Sequence, residues 1–152
     1  MDKNKMPGVG LGVMLINNEQ KVLLILRNSD SKLADSDMHL EGAWTLPAGK
    51  VRYGETIIEA ARRKVKQEVN LDVNNLKIIS INDDINKYAH FLTIGLVSDS
   101  FTGTIDLGDS LEHVDYKFYD LDNLPENLCE PSKVIIRNYK NNEIYKESEK
   151  NG

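Results

Sequence analysis

One hundred and fifty-two residues amount to about one ordinary domain, and a composition 40% hydrophobic and 28% charged argues against disorder, collagen and coiled coil. Nineteen basic against 24 acidic side chains leave a formal charge of −5, which lacks the basic footprint of a nucleic-acid binder or a polybasic membrane anchor. The longest unbroken apolar run, Val22 to Leu26, is far short of the roughly 20 residues of a membrane span, and the start Met1 to Pro7 has no apolar stretch that would make it a signal peptide.

Val9 to Ile16 and Lys21 to Arg27 are rich in Val, Leu and Ile. The turn-forming Asn17-Asn18-Glu19-Gln20 between them makes the pair read as a hairpin. Ser29 to Gly42 reads as a polar, irregular surface loop, and Ala43 to Arg52 as a short strand broken by Pro47 and Gly49. Thr56 to Val69 is the one strongly helical stretch. Ile58, Ala61, Val65 and Val69 recur at three- and four-residue steps, and Thr56 with Glu59 resembles a capping box, with Glu55 as the alternative first residue. Strands are expected at Leu76 to Ile81, Tyr88 to Ser98 and Asp115 to Tyr119, with Asp83-Asp84 as a turn. Leu121 to Pro125 reads as a short helical turn, and a last amphipathic helix starts near Pro131 and runs past Tyr139. Strands broken by two helices in irregular order predict a mixed sheet with helices against it.

The chemistry is concentrated in Ala43-Trp44-Thr45-Leu46-Pro47-Ala48-Gly49-Lys50-Val51-Arg52-Tyr53-Gly54-Glu55 and the helix that follows. Gly49, five residues, Glu55, seven residues, Arg63, then Val65, Glu68 and Leu71 are in the register of the signature Gx5Ex7REUxEExGU, where U is a bulky aliphatic. On these residues the chain resembles the Nudix (MutT-like) hydrolases. The resemblance implies an α/β (α+β) fold, the Nudix α/β/α sandwich with a mixed β-sheet between helices. It would form one domain over residues 1–152, with 1–6 and 147–152 as flexible tails. It also implies Mg²⁺-dependent, or Mn²⁺-dependent, hydrolysis of a diphosphate linkage in a nucleotide or nucleoside diphosphate derivative. The substrate would be a nucleotide-type small molecule, with neither nucleic acid nor membrane as a partner. Homodimers are common in the family. The lone Cys129 cannot form an intrachain disulfide, which fits a cytoplasmic setting.

Three positions depart from the signature. Lys64 and Gln67 stand where it has glutamates, and Asn70 replaces a glycine, a mild change because Asn also tolerates a left-handed helix end. At 100° per residue Lys64, Gln67 and Glu68 share one helix flank beside the apolar stripe. Carboxylates there would hold divalent cations that neutralise phosphate oxygens and activate water. Gln67 keeps an oxygen but no charge, and Lys64 brings a cation.

By resemblance, Glu68, Gln67 and the carbonyl of Ala48 are the metal ligands near the helix, with Glu112 as a distant carboxylate in competition with Asp115. Glu55 and Arg63 form a brace, and Glu55, Arg63, Lys64 and Glu68 make up the catalytic group. Arg27 resembles an arginine that reaches substrate phosphates. Trp44, as core or pocket wall, and His90, at the start of a cleft-lining strand, border the substrate. His39, His90 and His113 lack a common metal-ligand spacing. Base and sugar specificity falls to loops such as Ser29 to Gly42 and Asn82 to His90. The altered flank leaves a second reading open, a catalytically impaired domain that binds a nucleotide or sugar nucleotide as a sensor or partner module.

Overall fold

The computed structural model describes residues 5–34 and 38–148. The elements, in chain order, are β1 (Gly8–Leu15), β2 (Lys21–Arg27), α1 (Ser31–Ala34), β3 (Trp44–Thr45), β4 (Ala48–Lys50), α2 (Ile57–Val69), β5 (Asp72–Asn74), β6 (Lys77–Ile85), β7 (His90–Ser98), β8 (Ser100–Thr102), β9 (His113–Asp120) and α3 (Glu130–Asn141). A mixed sheet runs β4-β1-β7-β6, with β1 parallel to β7 and its other pairs antiparallel. A second, antiparallel sheet runs β3-β2-β9, and β5 pairs with β8.

The expected hairpin is not one. Asn17 to Gln20 do form a tight turn, closed by Asn17 N–H to Lys21 C=O and Gln20 N–H to Asn17 C=O, each at 3.0 Å. Beyond the single bridge Ile16–Val22 the two strands part into different sheets. Both carry apolar residues on both faces, so each needs cover on both sides, and β1 already has β4 and β7 along its edges. Ala43 to Arg52 likewise divides at Pro47 into β3 and β4, which join different sheets.

The core lies on both faces of the mixed sheet, giving the expected α/β/α layering. On one face Leu11, Val13 and Leu15 meet the α2 stripe of Ala60, Ala61, Val65 and Val69. On the other, Met14 meets Ile135 and Ile136 of α3, together with Val22, Leu24 and Leu46. Small residues under α3 let it approach closely: a Cβ on Gly12 or Gly95 would stand 2.8 Å from the Ile135 side chain. The α2 helix begins as its sequence predicts. Thr56 accepts from Glu59 N–H, the Glu59 carboxylate accepts from Thr56 N–H, and Asn70 closes the other end in the left-handed conformation at φ 62°.

Other expectations are corrected. Ser29 to Gly42 contains α1, whose Ala34 is buried. Asp83 and Asp84 lie inside β6, in which Ser80, Asn82 and Asp84 alternate inward. Leu121 to Pro125 is a non-helical turn tied by Asn123 N–H to Asp120 C=O. The short strands β5 and β8 carry no signal of their own. The expected tails at 1–6 and 147–152 fall largely outside the described residues.

Candidate active site

The site grows from an open strand edge. Hydrogen-bonded pairs along β1 and β4 fall at Val13–Pro47 and Val9–Val51, so the intervening Ala48 and Lys50 turn their peptide groups away from β1. That outer edge faces α2. Ala48 N–H donates to Glu68 Oε1 at 2.8 Å, and Lys50 C=O accepts from Arg63 Nη2 at 2.9 Å. The Ala48 carbonyl emerges on the same edge, beside Glu68.

Arg63 and Glu55 form a two-pronged ion pair, Nε to Oε2 at 2.6 Å and Nη2 to Oε1 at 2.9 Å, and Arg52 N–H adds 2.8 Å to Oε1. The Arg63 hydrogen bond, with that of Arg52 N–H, holds the Glu55 carboxyl down at about 2. A depressed acid stabilises the fold above its unfolded value and loses that contribution as pH falls through the folded one. Glu55→Gln should therefore lower the melting temperature at pH 7 and converge on the unmodified chain between pH 4.5 and 2. Equal deficits at both pH values would assign the loss to the loop geometry instead of the charge.

Lys64, Gln67 and Glu68 do share one flank. The Lys64 ammonium donates to Gln67 Oε1 at 3.2 Å and lies 3.6 Å from Glu68 Oε2. Its aliphatic stem crosses Gly49, where a Cβ would stand 2.2 Å from Lys64 Cε, so the glycine makes room for it. Glu68 is 7% exposed. Burial pushes its carboxyl up to about 7, against the Lys64 charge and the Ala48 N–H, which favour the ionised form.

The opposite wall comes from the second sheet. A register shift between Leu26 and Arg27 in the β2–β9 ladder brings Glu112 and His113 beside Arg27. Arg27 Nη2 lies 3.5 Å from Glu112 Oε1 and donates to the Ala34 carbonyl, while its Nε is buried with no partner among the described residues. Ligand atoms of Glu68, Glu112 and His113 all lie within 4.8 Å of one another. Burial, with the charges of Arg27 and Lys64, drops His113 to about 4, so its imidazole is neutral at physiological pH and has a lone pair to offer.

A cleft of about 480 Å³ opens over these groups. Arg27, Ala48, Arg63, Lys64, Gln67, Glu68 and Glu112 line it together, while Glu55 stands behind Arg63. Of the two residues expected to border the substrate, Trp44 takes the core position, one of its two expected placements, and His90 lies outside the cleft lining. Trp44 turns into the core, edge-on to Tyr119 with ring centroids 5.3 Å apart, and its neighbour Thr45 meets the cleft instead. His90 is exposed at the start of β7, and the alternation of the strand sends Phe91 and Thr93 to the cleft.

His113 and Asp84 are the residues that sequence reasoning missed. No local spacing marks either one, although His113 adjoins Glu112. Cys129 is buried, its thiol raised by burial and 3.2 Å from Ser132 Oγ, which fits a packing role.

Residues 6–139 match the family model described as the NUDIX domain. The chain is 30% identical over 123 residues to an ADP-ribose pyrophosphatase of Methanocaldococcus jannaschii, covering 80% of this chain and 67% of that protein. It is 32% identical over 113 residues to the NAD-capped RNA hydrolase NudC of Photorhabdus laumondii, covering 74% of this chain but only 42% of the relative. Among solved structures, a MutT Nudix hydrolase from Burkholderia pseudomallei superposes with a TM-score of 0.77 at 22% identity, over 88% of this chain and 98% of that one, and bears out the fold. The signature in β4 and α2, the layered fold and the matched family model together make this chain a member of the Nudix hydrolase family, whose named relatives support pyrophosphohydrolase activity.

Proposed function

We propose that the chain hydrolyses the diphosphate linkage of a nucleoside diphosphate derivative, of the ADP-ribose or nucleoside triphosphate kind, with Mg²⁺ or Mn²⁺. The observation that carries this reading is the meeting of Glu68 and Glu112 with Arg27, Arg63 and Lys64 in one cleft. The donor chemistry fits a hard divalent cation. Glu68 and Glu112 offer carboxylates, Gln67 an amide oxygen and Ala48 a strand-edge carbonyl, with His113 as a neutral nitrogen beside them. These residues would hold the cation, which would supply charge neutralisation at the phosphates and a more acidic bound water.

The fit is weaker than three carboxylates on the flank would give, because the flank holds Glu68 alone and Lys64 and Arg27 already pair with Glu68 and Glu112. The protein's own cations have complementary work. Arg27 pairs with Glu112 and Lys64 with Glu68, so that both would bear on phosphate oxygens bound at the acidic cluster, and Arg63 is fixed by Glu55 at the cleft wall. A phosphate-release screen over ADP-ribose, dinucleotides and nucleoside triphosphates, with each cation and with chelator, tests the reading. Cation-dependent turnover of at least one substrate is the expected result. The ammonium 3.2 Å from Gln67 and 3.6 Å from Glu68 favours one alternative, a nucleotide-binding domain without turnover. Saturable nucleotide binding with no phosphate release under any condition would establish it.

A further inference from the structure

The α3-facing side of the mixed sheet is covered along only part of its length. Ile135 of α3 packs over Gly12 and Gly95. Further along, the same face presents first Gly10 of β1 and Thr93 of β7, and then Phe91 of β7 and Asp84 of β6, all lining the cleft. Pro131, in the first turn of α3, marks where the helical cover ends. With no side chain at Gly10, backbone forms this part of the floor.

Asp84 is anomalous there. The residue is 5% exposed, and its Oδ2 is shut off from solvent without a hydrogen-bond partner among the described residues. Its inward neighbours on the strand are satisfied: Ser80 Oγ donates to Asn82 Oδ1 at 2.6 Å, Asn138 Nδ2 to Ser80 Oγ at 2.8 Å and Asn82 Nδ2 to the Pro131 carbonyl at 3.0 Å. Burial pushes the Asp84 carboxyl above its ordinary range, against hydrogen bonds from Thr93 and Asn82. A buried acceptor left empty bears its desolvation cost uncompensated, the more so when charged. An orphan of this kind on the floor of a ligand cleft is a group waiting for a donor.

Position identifies the donor. Glu68, Arg63 and Lys64 meet the β4 edge, and Asp84 lies three strands away along β4-β1-β7-β6. At roughly 4.8 Å per strand that is about 14 Å, enough for a nucleoside to extend from a phosphate at the β4 edge. We infer that Asp84 reads the nucleobase of the substrate, its Oδ2 accepting a hydrogen bond from an amino or ring N–H on the base edge while Gly10 and Phe91 form the floor beneath. The inference rests on the proposed function for the placement of the phosphates.

Binding without turnover tests it. Adenosine and guanosine 5′-monophosphate carry such donors, purine riboside 5′-monophosphate keeps the ring system without them, and ribose 5-phosphate has no base. Calorimetry should show at least one of the first two bound ~10–100-fold more tightly than purine riboside monophosphate, the range for a hydrogen bond to a charged group. Asp84→Ala should abolish that preference and leave ribose 5-phosphate affinity unchanged. Asp84→Asn, which keeps the shape and one acceptor oxygen, should lie between and serves if the alanine variant does not fold. Phe91→Leu should weaken all three purine nucleotides alike, without altering the preference among them.

A preference absent from the unmodified protein, or surviving Asp84→Ala, overturns the assignment. A loss that follows removal of the ribose 2′-hydroxyl in place of the base donor does the same. Failure of the hydrolase reading is seen separately, as base-selective binding without phosphate release.

Discussion

Replacing Glu68 by Gln should cost at least two orders of magnitude in turnover and yet stabilise the folded chain above neutral pH. The first effect follows from position. Glu68 holds the only carboxylate on the α2 flank, and removing one preorganised charged group from such a site is worth about 10²–10³ in rate. The second follows from burial, which carries its carboxyl from the ordinary 4.5 to about 7. Below pH 4.5 the group is protonated in both folded and unfolded chains and contributes nothing to the pH dependence. As pH rises from 4.5 to 7 the unfolded chain ionises first, so stability falls. Above 7 both states are ionised, and the full cost, about 3 kcal/mol, is present. Gln has nearly the same shape, can still accept from Ala48 N–H, and has no proton to lose. Urea unfolding at pH 5 and pH 8 should therefore show the two proteins closer in stability at pH 5 and the variant more stable at pH 8. A variant with unchanged pH dependence would place the penalty on another group, and one with near-normal turnover in saturating cation would remove Glu68 from the site.

That conflict between stability and chemistry was partly legible in the sequence. The spacing from Gly49 through Glu55 and Arg63 to Glu68 is local, and a helix fixes its outcome, so α2, its cap at Thr56 and its flank follow from periodicity. The partners across the cleft do not. Glu112 and His113 reach Glu68 through the register shift beside Arg27, a property of how β2 meets β9, and no spacing within either strand encodes it. Asp83-Asp84 reads as a turn because acids seldom enter a sheet interior. It is a strand because Ser80, Asn82 and Asp84 share an inward polar face beneath α3 and at its open end. The apparent hairpin of β1 and β2 failed for a related reason. Apolar runs announce strands but not their partners, and two strands buried on both faces found theirs far along the chain.

Restoring carboxylates at Lys64 and Gln67 should tighten cation binding and raise turnover. In the present flank the Lys64 ammonium lies 3.6 Å from Glu68, close to where a cation on that carboxylate would sit. Two unit charges near 4 Å at an effective dielectric of about 20 interact by roughly 4 kcal/mol, so an incoming cation meets an opposing charge of that order. Lys64→Glu reverses the term and adds a ligand, whereas Gln67→Glu only adds charge to an oxygen already present. The single lysine change should therefore give most of the gain, and the double variant the rest. The lysine also fills space, since its stem lies across Gly49 and is 16% exposed. Lys64→Met, which keeps much of the stem without the charge, separates lost packing from lost charge. With the ammonium gone, the extra carboxylates in the double variant stand beside the already buried Glu68. The cation-free protein should then melt lower than the unmodified one and recover as Mg²⁺ is added. Calorimetric cation affinity, melting with and without Mg²⁺ and phosphate release read the three effects separately. A folded double variant that binds cation no better and turns over no faster would show that the flank does not limit this site. The Lys64 ammonium would then be a working part of the cleft, held by Gln67 and Glu68 to meet a phosphate oxygen directly.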